Sequence, residues 1–421
     1  MLTTVWHPNT QHGLMPQSIE IESAQGAYLR TVDGRDILDA ISSWWVITHG
    51  HCHPKIVEAV RMQAARLEQV IFAGFTHNSA EELAERLMAV TPKALSHVFY
   101  SDSGSTAVEV AMKMAAGYWA HQGRPRTRFL ALEGGYHGDT FGTMAVGAPS
   151  AYNSVYRPFL FDVARIPVPV AGKEAESFAA LEDYLRVHGG DTAAFLFEPL
   201  VQGAGGMRMY SPEALRTLCE MCRKYGVLLV ADEVMAGFGR LGGLFACDQA
   251  GVVPDLMALS KGLTGGFLPM GATLATEDIY QSFYSTDRGR QFFHSTSFTG
   301  NALACTAACA SLKIWEEEDV LGRVRDVSSW QAQGLERLSR HRGVSNVRSC
   351  GTILAMDVLG DGEGYLSSLQ PQLYSAFLAQ DVLLRPIGNT VYILPPYCVT
   401  QSDLDKAYSA IERAVSELSE G

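Results

Sequence analysis

The stretches VLLVADEVMAGFGR (227–240) and LMALSKGLTGG (256–266) decide the fold. Each opens on a short aliphatic run. Runs of this kind read as strands. Each run ends on a charged residue, Asp232 in the first and Lys261 in the second. The interval between the two charges is that of one strand–helix–strand unit.

The same pattern recurs upstream. HVFYSD (97–102), RFLALE (128–133) and AAFLFEPL (193–200) read as further strands. TAVEVAMKMAAGYWA (106–120) reads as a helix with Val108, Ala111 and Ala115 on its inner face, and Glu109 and Lys113 as an i,i+4 pair on its outer face. Alternating strands and helices predict an α/β protein with a mostly parallel central sheet. In open sheets of this class, ligands bind beyond the carboxyl ends of the strands. Five such ends would build one site from distant parts of the chain. The two ends of the chain differ: GAYLRTVDGRDILDA (26–40) has short strands around an Asp33-Gly34 turn, and the last hundred residues alternate helix and strand. We divide the chain into a large domain, 46–311, and a smaller α/β domain built from 1–45 and 312–421.

Composition narrows the function. Asp and Glu number 45 against 33 Lys and Arg, a net charge of −12, and no basic patch is present, so nucleic acid is not an expected partner. No run approaches the roughly 18 apolar residues of a membrane helix, so no membrane partner is expected. MLTTVWHPNTQ lacks a basic segment followed by an apolar one, which points to the cytoplasm. Cys219 and Cys222 form the only C-x-x-C and lie on an amphipathic helical pattern, so they read as buried thiols. His49, His51 and His53 alternate in THGHCHP without a fourth ligand nearby, and no metal is assigned.

The strand ends suit one cofactor. A pyridoxal 5′-phosphate (PLP) site needs a lysine amine for the aldehyde, a carboxylate for the pyridine nitrogen, an anion cradle for the phosphate and a flat partner for the ring. Lys261 lies where burial favours the neutral, nucleophilic amine. Asp232 ends a buried strand and calls for a cationic partner. Ser103, Gly104 and Ser105 follow a strand and open a helix, whose free N–H groups and dipole attract anions. Tyr136, after the second strand, can stack on a ring. Each has a plainer reading: a surface lysine, a helix N-cap, a Ser-Gly-Ser cap, a core tyrosine. Only the combination points to a site.

SDSGSTAVEVAMKMA (101–115), GGYHGDTFG (134–142), LLVADEVMAGFGR (228–240), LSKGLTGG (259–266) and STSFTGNALAC (295–305) stand in an order and spacing that resemble the class III aminotransferases of PLP fold type I, across nearly the whole chain. The resemblance implies a PLP-dependent transferase fold and ping-pong transamination. It makes Lys261 the Schiff-base lysine and Asp232 the pyridinium partner. It also gives Ser103 and Gly104 the phosphate turn, and Tyr136 the stacking ring. Ser297 matches a hydroxyl that reaches the phosphate from a second subunit, which implies a homodimer with shared sites.

VWHP (5–8), ISSWWVITHGHCHP (41–54), EPLVQGAGGMRMY (198–210) and LLRPIGNTVYILPPY (383–397) resemble the branch of that family that aminates 8-amino-7-oxononanoate in biotin biosynthesis. This implies S-adenosylmethionine as donor, Trp45 and Tyr392 as pocket walls, and Arg385 as a buried partner for the acceptor carboxylate. Trp44 and the Val391–Tyr397 stretch suit its apolar chain, and Arg240 is assigned a supporting role. Two positions depart from the branch pattern. Asn9 stands where a tyrosine is expected after WHP, and Ser295-Thr296-Ser297 replaces Gly-Pro-Thr. The first removes an aromatic wall for the donor; the second keeps a hydroxyl. The rival readings are an ω-transaminase using pyruvate and amines, a PLP-binding regulator, and a fold-type-I isomerase.

Overall fold

The computed structural model describes residues 4–14, 18–150, 153–360 and 367–420. In chain order its strands are Ile21–Gln25 (β1), Tyr28–Thr31 (β2), Asp36–Asp39 (β3), Leu95–Ser101 (β4), Arg128–Leu132 (β5), Ala164–Ile166 (β6), Thr192–Phe197 (β7), Val201–Gln202 (β8) and Arg208–Met209 (β9). Leu228–Asp232 (β10), Leu256–Leu259 (β11), Gly271–Thr276 (β12), Val344–Cys350 (β13), Ile353–Val358 (β14), Val382–Leu383 (β15) and Thr390–Ile393 (β16) follow.

The central sheet has seven strands in the order β4-β12-β11-β10-β7-β5-β6. Six run in one direction, and only β12 is antiparallel to its neighbours β11 and β4. That strand and the short β6 were not anticipated, because GATLAT carries few bulky residues and ARI is only three residues long. The apolar runs have a simple cause. Ala194, Leu196, Val230, Leu256 and Ala258 pack with Val108, Ala111 and Ala115 of the helix Gly104–His121. Phe195, Phe197, Leu229, Ala231, Met257 and Leu259 face the opposite layer, with Leu218 and Cys222 of the helix Pro212–Lys224. Both faces are dry, so neither alternate position can be polar. Cys219 and Cys222 are buried in that second layer, and burial pushes both thiols upward.

One outer-face expectation is corrected. Glu109 and Lys113 do not pair. Glu109 Oε1 instead accepts from the N–H of Gly142 (2.8 Å) and the hydroxyl of Thr140 (2.6 Å), and Lys113 Nζ donates to the Phe293 carbonyl (2.9 Å). Loop groups needing a partner outcompete a weak solvent-exposed pair. The three alternating histidines also diverge: His49 meets Ser311 (3.1 Å), His51 meets Asp39 (2.9 Å) and His53 lies 3.5 Å from Glu318. Among the described residues no group of three or more His, Cys, Asp or Glu could hold a metal ion.

The two chain ends are stitched together. β3 pairs in parallel with β15, Leu394 N–H donates to the Ala40 carbonyl (2.8 Å), and Tyr397 N–H donates to the Thr48 carbonyl (2.8 Å). Arg240 is buried at this junction. Its guanidinium donates to the carbonyls of Pro395 (2.6 Å) and Ile47 (3.3 Å) and to Ser42 Oγ (3.4 Å), and lies over the Tyr397 ring. Replacing Arg240 with Met strands these acceptors, each worth about 1–3 kcal/mol when buried and unmet. The expected result is a loss of about 2–4 kcal/mol in urea unfolding, with cofactor content falling alongside.

Candidate active site

A cavity of about 220 Å³ opens beyond the carboxyl ends of β4, β5, β7, β10 and β11. Each end supplies groups to it: Gly104 and Ser105 after β4, Tyr136 and His137 after β5, Glu198 after β7, Asp232 closing β10, and Ser260 and Lys261 after β11. Asn9, Trp44, Trp45, Arg385 and Tyr392 line it from the chain-end segments.

Lys261 sits at φ 47°, where the strand turns into a glycine-rich loop. Its Nζ is buried and lies 4.7 Å from the centre of the Trp45 ring. Burial pulls the amine down to about 8, while Asp232 and Glu198 hold part of its charge. The Asp232 Oδ1 accepts from Val234 N–H (3.1 Å), and Oδ2 faces His137 Nδ1 at 2.8 Å. Residues 234–240 form turns rather than a helix, so Asp232 is not a helix cap. His137 is fully buried. Burial disfavours its charged ring, but the hydrogen bond and charge of Asp232 prevail and raise its pKa.

Glu198, which the sequence reading did not single out, accepts from the backbone N–H of Tyr136 (3.0 Å) and Gly203 (2.9 Å). Burial pushes its carboxyl up to about 7. The only sequence signal for it was a carboxylate closing the apolar run AAFLFEPL. Likewise His137 was visible only as the neighbour of Tyr136. Burial, together with Asp139, raises the Tyr136 phenol.

At the helix start, the Ser103 hydroxyl is committed. It accepts from Thr106 N–H (3.2 Å) in a capping box, so the plainer capping reading holds for this side chain. Gly104 and Ser105 occupy the first helical positions, whose N–H groups have no intrahelical acceptor. Gly138 packs so closely on this turn that a Cβ there would lie 2.9 Å from Ser105 Cα.

The remaining candidates divide. Trp45 Nε1 donates to the Tyr392 hydroxyl at 3.0 Å, so these two walls are locked together. Of the Val391–Tyr397 stretch only Tyr392 lines the cavity. Arg385 is not buried as expected. It is half-exposed, stacked 5.3 Å from Trp44, and donates to the Asn9 carbonyl at 3.1 Å. Asn9 is exposed at φ 46°, a conformation asparagine tolerates far better than aromatic residues. Ser295 and Ser297 are exposed and do not line this cavity; the neighbouring Thr296 is tied to Asp102 (2.8 Å).

The model of the family described as aminotransferase class III matches residues 10–415. The chain is a class III aminotransferase. Adenosylmethionine-8-amino-7-oxononanoate aminotransferase of Synechococcus elongatus is 47% identical to it over 98% of this chain and 99% of the relative. The enzyme of the same name from Geobacter sulfurreducens is 37% identical over 99% and 96%. The crystal structure of that enzyme from Methanocaldococcus jannaschii superimposes with a TM-score of 0.93 at 32% identity, covering 98% of this chain and 97% of the other. A PLP-bound amine transaminase from an uncultivated Pseudomonas species gives 0.92 at 32%, covering 99% of both. The fold is therefore that of the PLP-dependent transaminases, and the aminotransferase uses PLP.

The residues present fit that cofactor. A buried lysine shifted toward its neutral form, a strand-end carboxylate and a free helix N-terminus line one cavity. The shift of Lys261 gives a pH test. Capture of PLP by the cofactor-free protein needs the neutral amine, so its rate should rise with pH around 8 rather than at the ordinary lysine value. Glu198→Gln removes a charge that holds the proton on, so it should move the midpoint to lower pH; an unchanged or higher midpoint would contradict this assignment.

Proposed function

We propose that this aminotransferase transfers the amino group of S-adenosylmethionine to the ketone of 8-amino-7-oxononanoate, giving 7,8-diaminononanoate for biotin biosynthesis. Full-length likeness to enzymes of that name supports the reading. The observation that carries it is the placing of Arg385 on the cavity wall, stacked on Trp44 and next to the Trp45–Tyr392 pair. A planar guanidinium pairs with a carboxylate through two parallel hydrogen bonds, and the aromatic walls suit the aliphatic chain behind it.

Bound PLP supplies an aldehyde that exchanges amino groups and a ring that accepts the electron pair freed when the donor Cα–H bond breaks. Lys261 Nζ holds the cofactor and takes the Cα proton, a role its lowered proton affinity suits. Asp232 presents its carboxylate to the pyridine nitrogen, and His137 Nδ1 keeps that carboxylate oriented. The N–H groups of Gly104 and Ser105 bind the phosphate, helped by the helix dipole. Tyr136 covers the ring and excludes water, with its backbone fixed by Glu198. Ser297 reaches the phosphate of a second copy in a homodimer. Ser295, beside it, contributes to the partner's substrate pocket. The catalytic domain is 46–311, with 1–45 and 312–421 closing over it. Among the described residues no helix is long and apolar enough to cross a membrane, and we place the enzyme in the cytoplasm.

The amine transaminase superimposes as well as the M. jannaschii enzyme does, so the backbone alone does not separate an ω-transaminase from this reading. Substrate tests do. Single-turnover release of keto product should be fastest with S-adenosylmethionine among that donor, lysine, alanine and glutamate. Faster reaction with lysine or alanine would overturn the donor assignment. Arg385→Ala should raise KM for the oxo-acid by tenfold or more, and Arg385→Lys should restore only part, because a point charge cannot reproduce the fork. Equal damage to both half-reactions would show that Arg385 supports the fold instead.

A further inference from the structure

At about 220 Å³, the cavity around Lys261 is smaller than the roughly 300–1,000 Å³ that small-molecule sites usually occupy. A second cavity of about 750 Å³ adjoins it. The two share Tyr136, Gly138, Asp139, Ala204 and Ile387 as lining, so these residues form the neck between them.

The second cavity is polar, and most of its polar groups are spoken for. Arg348 donates to Asp357 (3.0 Å) and to the carbonyls of Gly206 (2.6 Å) and Met207 (2.9 Å). Asn346 and Thr390 also donate to Asp357, at 2.8 Å each. Arg208 is the exception. It lines the cavity, it is exposed, and among the described residues its guanidinium has no ion pair or hydrogen bond. Its Nη1 would lie 2.7 Å from a Cβ at Gly134, so the glycine leaves it room against the cavity wall. Opposite Arg208 across the β8–β9 ladder stands Gln202, fully buried, with both side-chain amide atoms unpartnered among the described residues. Gln202 itself lines neither cavity, so Arg208 is the group of this ladder that a ligand in the second cavity meets. Arg208 belongs to the GGMRMY string, for which the catalytic account finds no use.

We propose that the second cavity is the donor's nucleoside subsite, with Arg208 reading the adenine. The inference rests on S-adenosylmethionine being the donor. The amino-acid end reacts near Lys261, the chain passes the neck, and the adenosyl group lies in the larger cavity. Adenine presents ring-nitrogen acceptors and a flat face, and a guanidinium can donate to the one or stack on the other. The ribose hydroxyls find an acceptor in Asp357, whose carboxylate has more accepting positions than the three donors it already meets. Asp139 sets a carboxylate at the neck, where the sulfonium would pass. Arg208 is thus a specificity residue for the donor and has no part in proton transfer.

The test uses the PLP-loaded enzyme and 5′-methylthioadenosine, which carries the nucleoside but no amino group to transfer. Titration calorimetry should show it binding the wild type. It should bind Arg208→Gln at least fivefold more weakly, with Arg208→Lys in between. The Arg208→Gln variant should also raise the apparent Kd for S-adenosylmethionine in single turnover by a similar factor, while the limiting rate changes little. Because Arg208 is exposed and unpaired, neither variant should lower the urea midpoint. Equal binding by wild type and Arg208→Gln would overturn the role of Arg208. No binding to the wild type, with S-adenosylmethionine still reacting, would overturn the subsite. A wild type that binds the nucleoside but does not react with S-adenosylmethionine would overturn the donor assignment and leave the nucleoside site standing.

Discussion

A largely desolvated lysine amine within the field of two buried carboxylates is the condition on which the site depends. Desolvation works against the charge on Lys261, and Asp232 and Glu198 work to keep it, leaving the amine near 8. With less burial the amine would stay protonated and could not attack a carbonyl. With no carboxylates nearby it would lose its proton so readily that it could not return it. The seven-stranded sheet exists in the form it does because this balance needs a dry floor. Helices cover both of its faces, and Asp232, Glu198 and Lys261 stand where their strands stop.

The wall facing Lys261 is built at a cost. Ser42, Ser43 and Trp45 all lie at positive φ, in a turn of four residues. Each such residue is disfavoured by about 1–3 kcal/mol. The surroundings offset that. Asp39 accepts from Ser43 N–H (2.8 Å) and its hydroxyl (3.0 Å) and pairs with His51 (2.9 Å); Ser42 Oγ donates to the Leu394 carbonyl (2.8 Å). Arg240 fastens the same turn from below. The tryptophan wall is therefore as fixed as the lysine it faces, and it joins the two chain ends to the catalytic sheet.

Much of this was legible in the sequence, and for a physical reason. Strands with two dry faces leave unbroken apolar runs, and ligands of such sheets bind beyond the strand ends, so Lys261 and Asp232 at two ends and Tyr136 after a third stood out. Glu198 and His137 did not, because their importance lies in contacts across the sheet: Glu198 with the backbone of Tyr136, and His137 with Asp232. β12 was missed because its small residues fit between strands without advertising hydrophobicity. Ser103 shows how two readings of one motif coexist: its hydroxyl caps the helix, and the N–H groups that follow it are left without an intrahelical acceptor. Arg385 was expected in the interior, whereas its stack on Trp44 leaves it half in solvent. Side-chain direction at a lobe edge is not encoded in local pattern.

The most direct test of the account is chemical. Borohydride fixes the cofactor to whichever amine holds it, and peptide mapping then reports the residue. The pyridoxyl group should appear on Lys261, in the peptide that follows β11, with the label lost in Lys261→Ala. Label on Lys113, Lys224 or any other lysine would contradict it.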